Sequence, residues 1–182
     1  VEAIIDIRES SNSKIVKAVE EAGIKIHWSH TIVDTSGYKR LNGISAMKLS
    51  NDGLSVTGNK INISCDCLGV AGGWTPAVHL FTQSGGKLKF DENDKIFLPN
   101  KYPSEQLSVG SCNGDFKLKE IINNLSTNLK QFLKVNETDF DNILIEGEEE
   151  NSKRNIWLLP SDKPIGKTKP FVDYQNDATA KD

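Results

Sequence analysis

The sequence predicts an α/β fold: a partial doubly wound, mostly parallel sheet with an inserted β-meander and a long C-terminal helix. Three observations predict it. A strand–helix–strand pattern occupies residues 1–28, short alternating strands with glycine turns fill 32–63, and a long amphipathic helix follows a glycine-rich turn at 110–114.

The chain opens on Val1-Glu2-Ala3-Ile4-Ile5-Asp6, a strand that ends on an acid. Ser10-Ser11-Asn12-Ser13 then offers caps for a helix with Ile15, Val16, Val19 and Ala22 on one face, and Gly23 stops it. Residues 24–28 form the next strand. This order is the second half of a doubly wound unit, whose glycine-rich first turn belongs ahead of Val1. In such Rossmann-like, FAD- or NAD(P)-binding folds an acid at the second strand end holds the ribose hydroxyls of a dinucleotide, and Asp6 occupies that place. The residues alone leave Asp6 open between that role and a solvated strand-end carboxylate.

From 32 to 63, Gly37, Asn42-Gly43, Asn51-Asp52-Gly53 and Gly58-Asn59 read as turns of a meander laid on the sheet edge. Ile44, Ala46, Ile61 and Ile63, at period two, are its core positions. The meander delivers the chain into an apolar run, 67–71, read as a buried strand, and then into Gly72-Gly73-Trp74-Thr75-Pro76. Paired glycines at a strand end let the backbone approach something flat or charged that a Cβ would exclude. A packed strand and turn with no ligand fits the same residues. A helical turn at 79–83 and a hairpin of 87–90 with 96–98 follow. A short strand, 107–109, then runs into Gly110, and Leu118, Ile121, Ile122, Leu125, Leu129 and Phe132 recur at helical spacing. Free N–H groups around Ser111, Asn113 and Gly114, at that helix start, favour a pyrophosphate, although an ordinary cap explains them nearly as well.

At 182 residues with a net charge of -3, the chain is long enough for one good core and offers nothing that invites nucleic acid or a membrane surface. It carries no long apolar span, so a soluble protein is expected, and its cysteine usage points to a reducing cytoplasm. It begins on a strand without an initiator Met and stops in mid-phrase, so a piece of a longer polypeptide is expected. Three cysteines, an odd number, suggest no disulfide framework. Cys65 and Cys67 lack a second pair of metal ligands and read as buried strand cysteines. His79 is placed as a capping or core histidine, and Trp74 either stacks on a ring or packs over strand ends. No nucleophile–His–acid arrangement has supporting context, so no catalytic residue and no metal are assigned.

The phrases Gly72-Gly73-Trp74-Thr75-Pro76-Ala77-Val78-His79-Leu80 and Val172-Asp173-Tyr174-Gln175-Asn176-Asp177 carry more. With 64–66, 81–83, Gly86-Lys87-Leu88 and the tail 169–182, they resemble the α subunit of heterotetrameric sarcosine oxidase over nearly the whole chain. The stretch 135–153 matches least, and its Glu146 to Glu150 acidic run reads as a solvated linker. The resemblance implies an oxidoreductase subunit that binds NAD noncovalently. FAD, FMN and tetrahydrofolate then belong elsewhere in the parent complex, which demethylates sarcosine oxidatively and passes the methyl carbon to tetrahydrofolate. It implies cofactor contacts at Asp6, Gly72, Gly73, Trp74, Gly110, Ser111, Asn113 and Gly114, with Asn113 where related reductases often have an acid. It divides the chain into 1–76, the end of an inserted nucleotide domain; 77–134, a return segment of the first; and 135–182, a linker and extended tail. The partners implied are the other oxidase subunits, and a second copy of this chain is expected to complete the unfinished sheet. A dimethylglycine, proline or opine enzyme fits as parent too, and a non-catalytic interaction module is the alternative of a different class.

Overall fold

The computed structural model describes residues 1–103, 105–136, 154–168, 170–173 and 175–182. The chain divides into two units, one comprising Val1–Ala71 with Glu150–Asp182 and the other Gly72–Glu149.

In the first unit, β1 (Ala3–Asp6), α1 (Lys14–Glu21) and β2 (Lys25–Trp28) follow one another as their patterns predict. Ser13 caps α1, its Oγ accepting the Val16 N–H at 3.3 Å, and Gly23 at φ +73° ends it in the left-handed region a Cβ disfavours. The strands pair in parallel, Ala3 opposite Lys25 and Asp6 opposite Trp28. The buried face of α1 is narrower than its spacing predicts. Val16 is buried and Val19 half-buried, but Ile15 and Ala22 are exposed, because a helix of 8 residues over a 2-stranded sheet has little to cover.

The meander is β3 (His30–Gly37), β4 (Leu41–Leu49) and β5 (Val56–Ser64), antiparallel with β4 central. The central strand supplies most of the core: Ile44, Ala46, Met47 and Leu49 are buried, while Ile61 and Ile63 on the edge strand are half-buried. Two expected turns are not turns. Asn42-Gly43 lies inside β4, where a Cβ on Gly43 would stand 2.7 Å from the Ile63 carbonyl oxygen. Gly58-Asn59 lies inside β5, in a bulge between the pairs Lys48–Thr57 and Ala46–Ile61, and φ +77° at Gly58 makes that kink possible.

The C-terminal residues corrected the expectation of an extended tail. A 3₁₀ turn (Ile165–Lys167) leads into a small hairpin of β8 (Phe171–Asp173) and β9 (Ala178–Thr179). The preceding segment ties to the meander: Lys163 Nζ lies 2.7 Å from Asp34 Oδ2, and Lys60 Nζ lies 2.7 Å from Asp162 Oδ2. The Lys163 ammonium, through that hydrogen bond, holds the Asp34 carboxyl below the usual carboxylate range. The acidic run Glu146 to Glu150, Lys169 and Tyr174 lie outside the described residues.

The second unit holds α2 (His79–Gln83), a hairpin of β6 (Lys87–Asp91) and β7 (Ile96–Lys101), a 3₁₀ turn (Gly110–Asn113) and α3 (Leu118–Leu133). Its core is built on Phe81, which is 7% exposed and meets Tyr102 edge-to-face with ring centroids 4.9 Å apart. Gly86 lies against the Phe81 ring, with no room for a Cβ. The two apolar stretches read as strands, 67–71 and 107–109, are irregular and pair with no strand among the described residues.

Among the described residues the fold is therefore mixed α/β with four small sheets, and β1–β2 is the one parallel pairing. The mostly parallel sheet is corrected for a topological reason. Each later strand follows its neighbour through a turn too short for a crossover, which imposes antiparallel pairing. Among these residues no helix is long and apolar enough to cross a membrane.

Candidate functional site

The strand-end acid stands where its spacing puts it, at the carboxyl end of β1 beside the end of β2, but it is not a free carboxylate. Asp6 is gripped by Arg8, whose Nη2 lies 2.7 Å from Oδ2 and Nε 3.0 Å from Oδ1, while the Arg8 backbone N–H donates to Oδ1 at 2.9 Å. The side chains are 16% and 26% exposed for Asp6 and Arg8. Such a bidentate fork fixes the carboxylate and neutralises its charge. A ribose hydroxyl at this position has to share or displace that fork. Arg8 carried a sequence signal, a cation two residues beyond a strand-end acid, that the Asp6 reading did not use.

A residue far along the chain shapes the same turn. Arg154 donates through Nη1 to the Ile7 carbonyl at 2.7 Å and through Nη2 to the carbonyls of Ser50 and Asn51 at 2.7 and 3.2 Å. Arg154 thus joins the loop after β1 to the turn between β4 and β5. No local pattern announces it, since its partners are main-chain atoms 103 to 147 residues earlier.

Next to this edge, His27 is buried on β2, and its ring meets that of His30 at a centroid distance of 5.6 Å. His30 Nδ1 lies 2.6 Å from the Trp28 carbonyl oxygen, so that nitrogen carries the proton. Burial, aided by the nearby Lys25 and His30, pushes the His27 pKa below 6.5. Because the folded state prefers neutral imidazole, its contribution to stability is complete above pH 6.5 and is lost as pH falls below that value through the lower folded pKa. The expected result is a wild-type melting midpoint that drops more between about pH 7.5 and about pH 5.5 than that of His27→Gln, measured by calorimetry. Equal drops in the two proteins would remove His27 as the cause.

The glycine loop behaves differently from its reading. Gly72, Gly73 and Trp74 lie on an exposed irregular stretch, and Trp74 is 79% exposed, so its ring is not packed as a core residue. A Cβ on Gly72 would meet nothing within 4 Å, so close backbone approach is not what holds glycine there in this structure. Gly73, at φ +99°, needs glycine for conformation. Pro76 is the buried residue of the loop. Cys67 is exposed and Cys65 half-buried beyond the end of β5, which corrects the picture of buried strand cysteines. His79 opens α2 exposed to solvent, so it is neither a core residue nor a side-chain cap.

Gly110, Ser111, Asn113 and Gly114 form a closed turn. The Gly114 N–H donates to the Ser111 carbonyl at 3.2 Å and the Asp115 N–H to the Gly110 carbonyl at 3.1 Å. Gly110 and Gly114 sit at φ +71° and +89°, and a Cβ on Gly114 would come within 2.5 Å of Leu98 Cδ2. The turn is not the helix start: α3 begins at Leu118, with Lys117 before it, so the unpaired N–H groups of the first helical turn belong to later residues. The acid here is Asp115. It accepts from Asn113 Nδ2 at 3.4 Å and from Asn124 Nδ2 at 3.0 Å, and its place directly after a left-handed glycine was the available signal.

Of the eight predicted site residues, Asp6 belongs to the first unit and the other seven to the second. Among the described residues no group of three or more His, Cys, Asp or Glu side chains is arranged to hold a metal ion.

No protein-family model matches the chain. It is similar to sarcosine oxidase subunit alpha of Corynebacterium sp. strain P-1, at 28% identity, and of strain U-96, at 27%. Both alignments cover 100% of this chain and 19% of the relative, so the chain spans about a fifth of the length of these curated relatives. The resemblance read from the glycine–tryptophan and tail phrases is borne out along the whole chain.

Proposed function

We propose that this chain is part of a subunit of a sarcosine-oxidase-like flavoprotein complex, in which its own role is a dinucleotide-binding scaffold that takes NAD. The observation that carries the reading is the alignment of the whole chain to two sarcosine oxidase alpha subunits. The parallel β1–α1–β2 unit with Asp6 at the carboxyl edge supports the Rossmann-like part, because that edge is where such folds bind the ribose of a dinucleotide. In the parent complex, flavins would oxidise sarcosine and tetrahydrofolate would accept the methyl carbon. Nothing in this chain's residues selects sarcosine over dimethylglycine, proline or an opine.

The second reading, a non-catalytic module that supports partner subunits, draws on one specific observation: Asp6 is already satisfied by Arg8. A thermal-shift titration of the full chain with NAD, NADP, FAD and ATP separates the two. A ligand at about a hundred times its dissociation constant stabilises the folded state by about 2.7 kcal/mol. The expected result is a raised midpoint with NAD that Asp6→Ala abolishes. No shift with any of the four nucleotides would leave the supporting module as the function.

A further inference from the structure

We propose that Cys65 and Cys67 form a hydroperoxide-sensitive dithiol that closes to an intrachain disulfide. Cys67 is exposed and Cys65 half-buried, and among the described residues neither thiol has a hydrogen-bond partner. Cys112, the third cysteine, differs: its Sγ donates to the Val109 carbonyl at 3.0 Å within a closed turn. The pair has one anchored and one free member. The Cys65 N–H donates to the Asn42 carbonyl at 3.3 Å and fixes that residue at the meander's end, whereas the chain from Cys67 onward is irregular and exposed, with Gly69 and Gly72 in open space.

The sequence separation puts closure within reach. Two Cα–Cα steps of about 3.8 Å separate the cysteines, on a bent, irregular stretch, against the roughly 4.4–6.8 Å a disulfide needs. The glycines that follow supply backbone freedom for the remaining adjustment. In the first step the Cys67 thiolate attacks the O–O bond of a hydroperoxide, forming a sulfenic acid and expelling alkoxide or hydroxide, which takes up a proton to leave as an alcohol or water. In the second, the Cys65 sulfur attacks the sulfenic sulfur, the S–S bond forms, and the oxygen leaves as water. Two thiols are oxidised by two electrons and one O–O bond is reduced.

The test treats the full chain with hydrogen peroxide at mildly alkaline pH and counts thiols before and after. Closure predicts a fall from three titratable thiols to one, Cys112, a mass loss of about 2 Da mapped to the peptide holding both cysteines, and full reversal by dithiothreitol. Cys65→Ser should instead leave a sulfenic acid on Cys67 that dimedone traps. Retention of all three thiols, a disulfide between two chains, or over-oxidation of Cys67 without an intrachain bond would each overturn the proposal. Both residues stand outside the core, so wild type and the serine variants fold alike and the chemistry is read directly.

Discussion

Truncating Phe81 to alanine is expected to lower the unfolding free energy of the unit that holds it by about 3–5 kcal/mol, the range for removing a buried aromatic ring. Three contacts disappear together: the packing of a side chain only 7% exposed, the edge-to-face contact with Tyr102, and the surface against which Gly86 lies. Gly86, which lies against the ring, has no side chain with which to refill the space. Phe81→Leu, which keeps most of the volume, should cost less than half as much. Hydrogen exchange of amides in β6 and β7 reads the effect locally, so the other unit need not unfold with it. Unchanged protection in Phe81→Ala would show that this ring is not the centre of the core.

Replacing Arg154 with alanine is the second large change, with an expected loss of about 2–3 kcal/mol from charge-assisted hydrogen bonds. The guanidinium spans three carbonyls from two separate turns, Ile7 on one side and Ser50 with Asn51 on the other. Without it those oxygens fall back on water where they can reach it, and the loop that presents Asp6 and Arg8 is freed from the β4–β5 turn. Lysine should not rescue, since one ammonium cannot reproduce a planar fork that reaches both turns. The measurement is again exchange, at the amides of β1 and of the 50–53 turn. A variant within about 0.5 kcal/mol of wild type there would reduce Arg154 to an ordinary surface cation. If the scaffold reading holds, the same variant should weaken NAD more than a mere surface change does, because the ribose acid loses its fixed loop.

The local chemistry of the chain was legible wherever one segment sufficed to satisfy itself. Ser13 and Gly23 mark both ends of α1, the alternation of Ile44 and Ala46 marks core positions of a strand, and His79 to Gln83 forms the helical turn its residues predict. The family resemblance was legible for the same reason, as contiguous phrases in the sequence. Misreadings came where apolar or glycine residues have two uses. Residues 67–71 look like a buried strand, but among the described residues no strand pairs with them, and a strand without a partner has no ladder to hold it. Gly43 and Gly58 look like turns, but Gly43 pairs with Ser64 across the ladder and Gly58 sits in the bulge between Thr57 and Ile61.

What the sequence by itself determined, then, is the β1–α1–β2 succession, the serine and glycine that bound α1, and the acid at the end of β1. Only the tertiary structure decided what those residues meet: that Asp6 is closed by Arg8, that Arg154 reaches back 147 residues to fix the loop behind it, and that the turn at Gly110 ends before α3 begins. The physical reason is the range of the interactions. Capping, turn geometry and periodicity act within about four residues and are written in the order of the chain, whereas pairing of strands, burial and main-chain hydrogen bonds to a distant guanidinium depend on which segments come together.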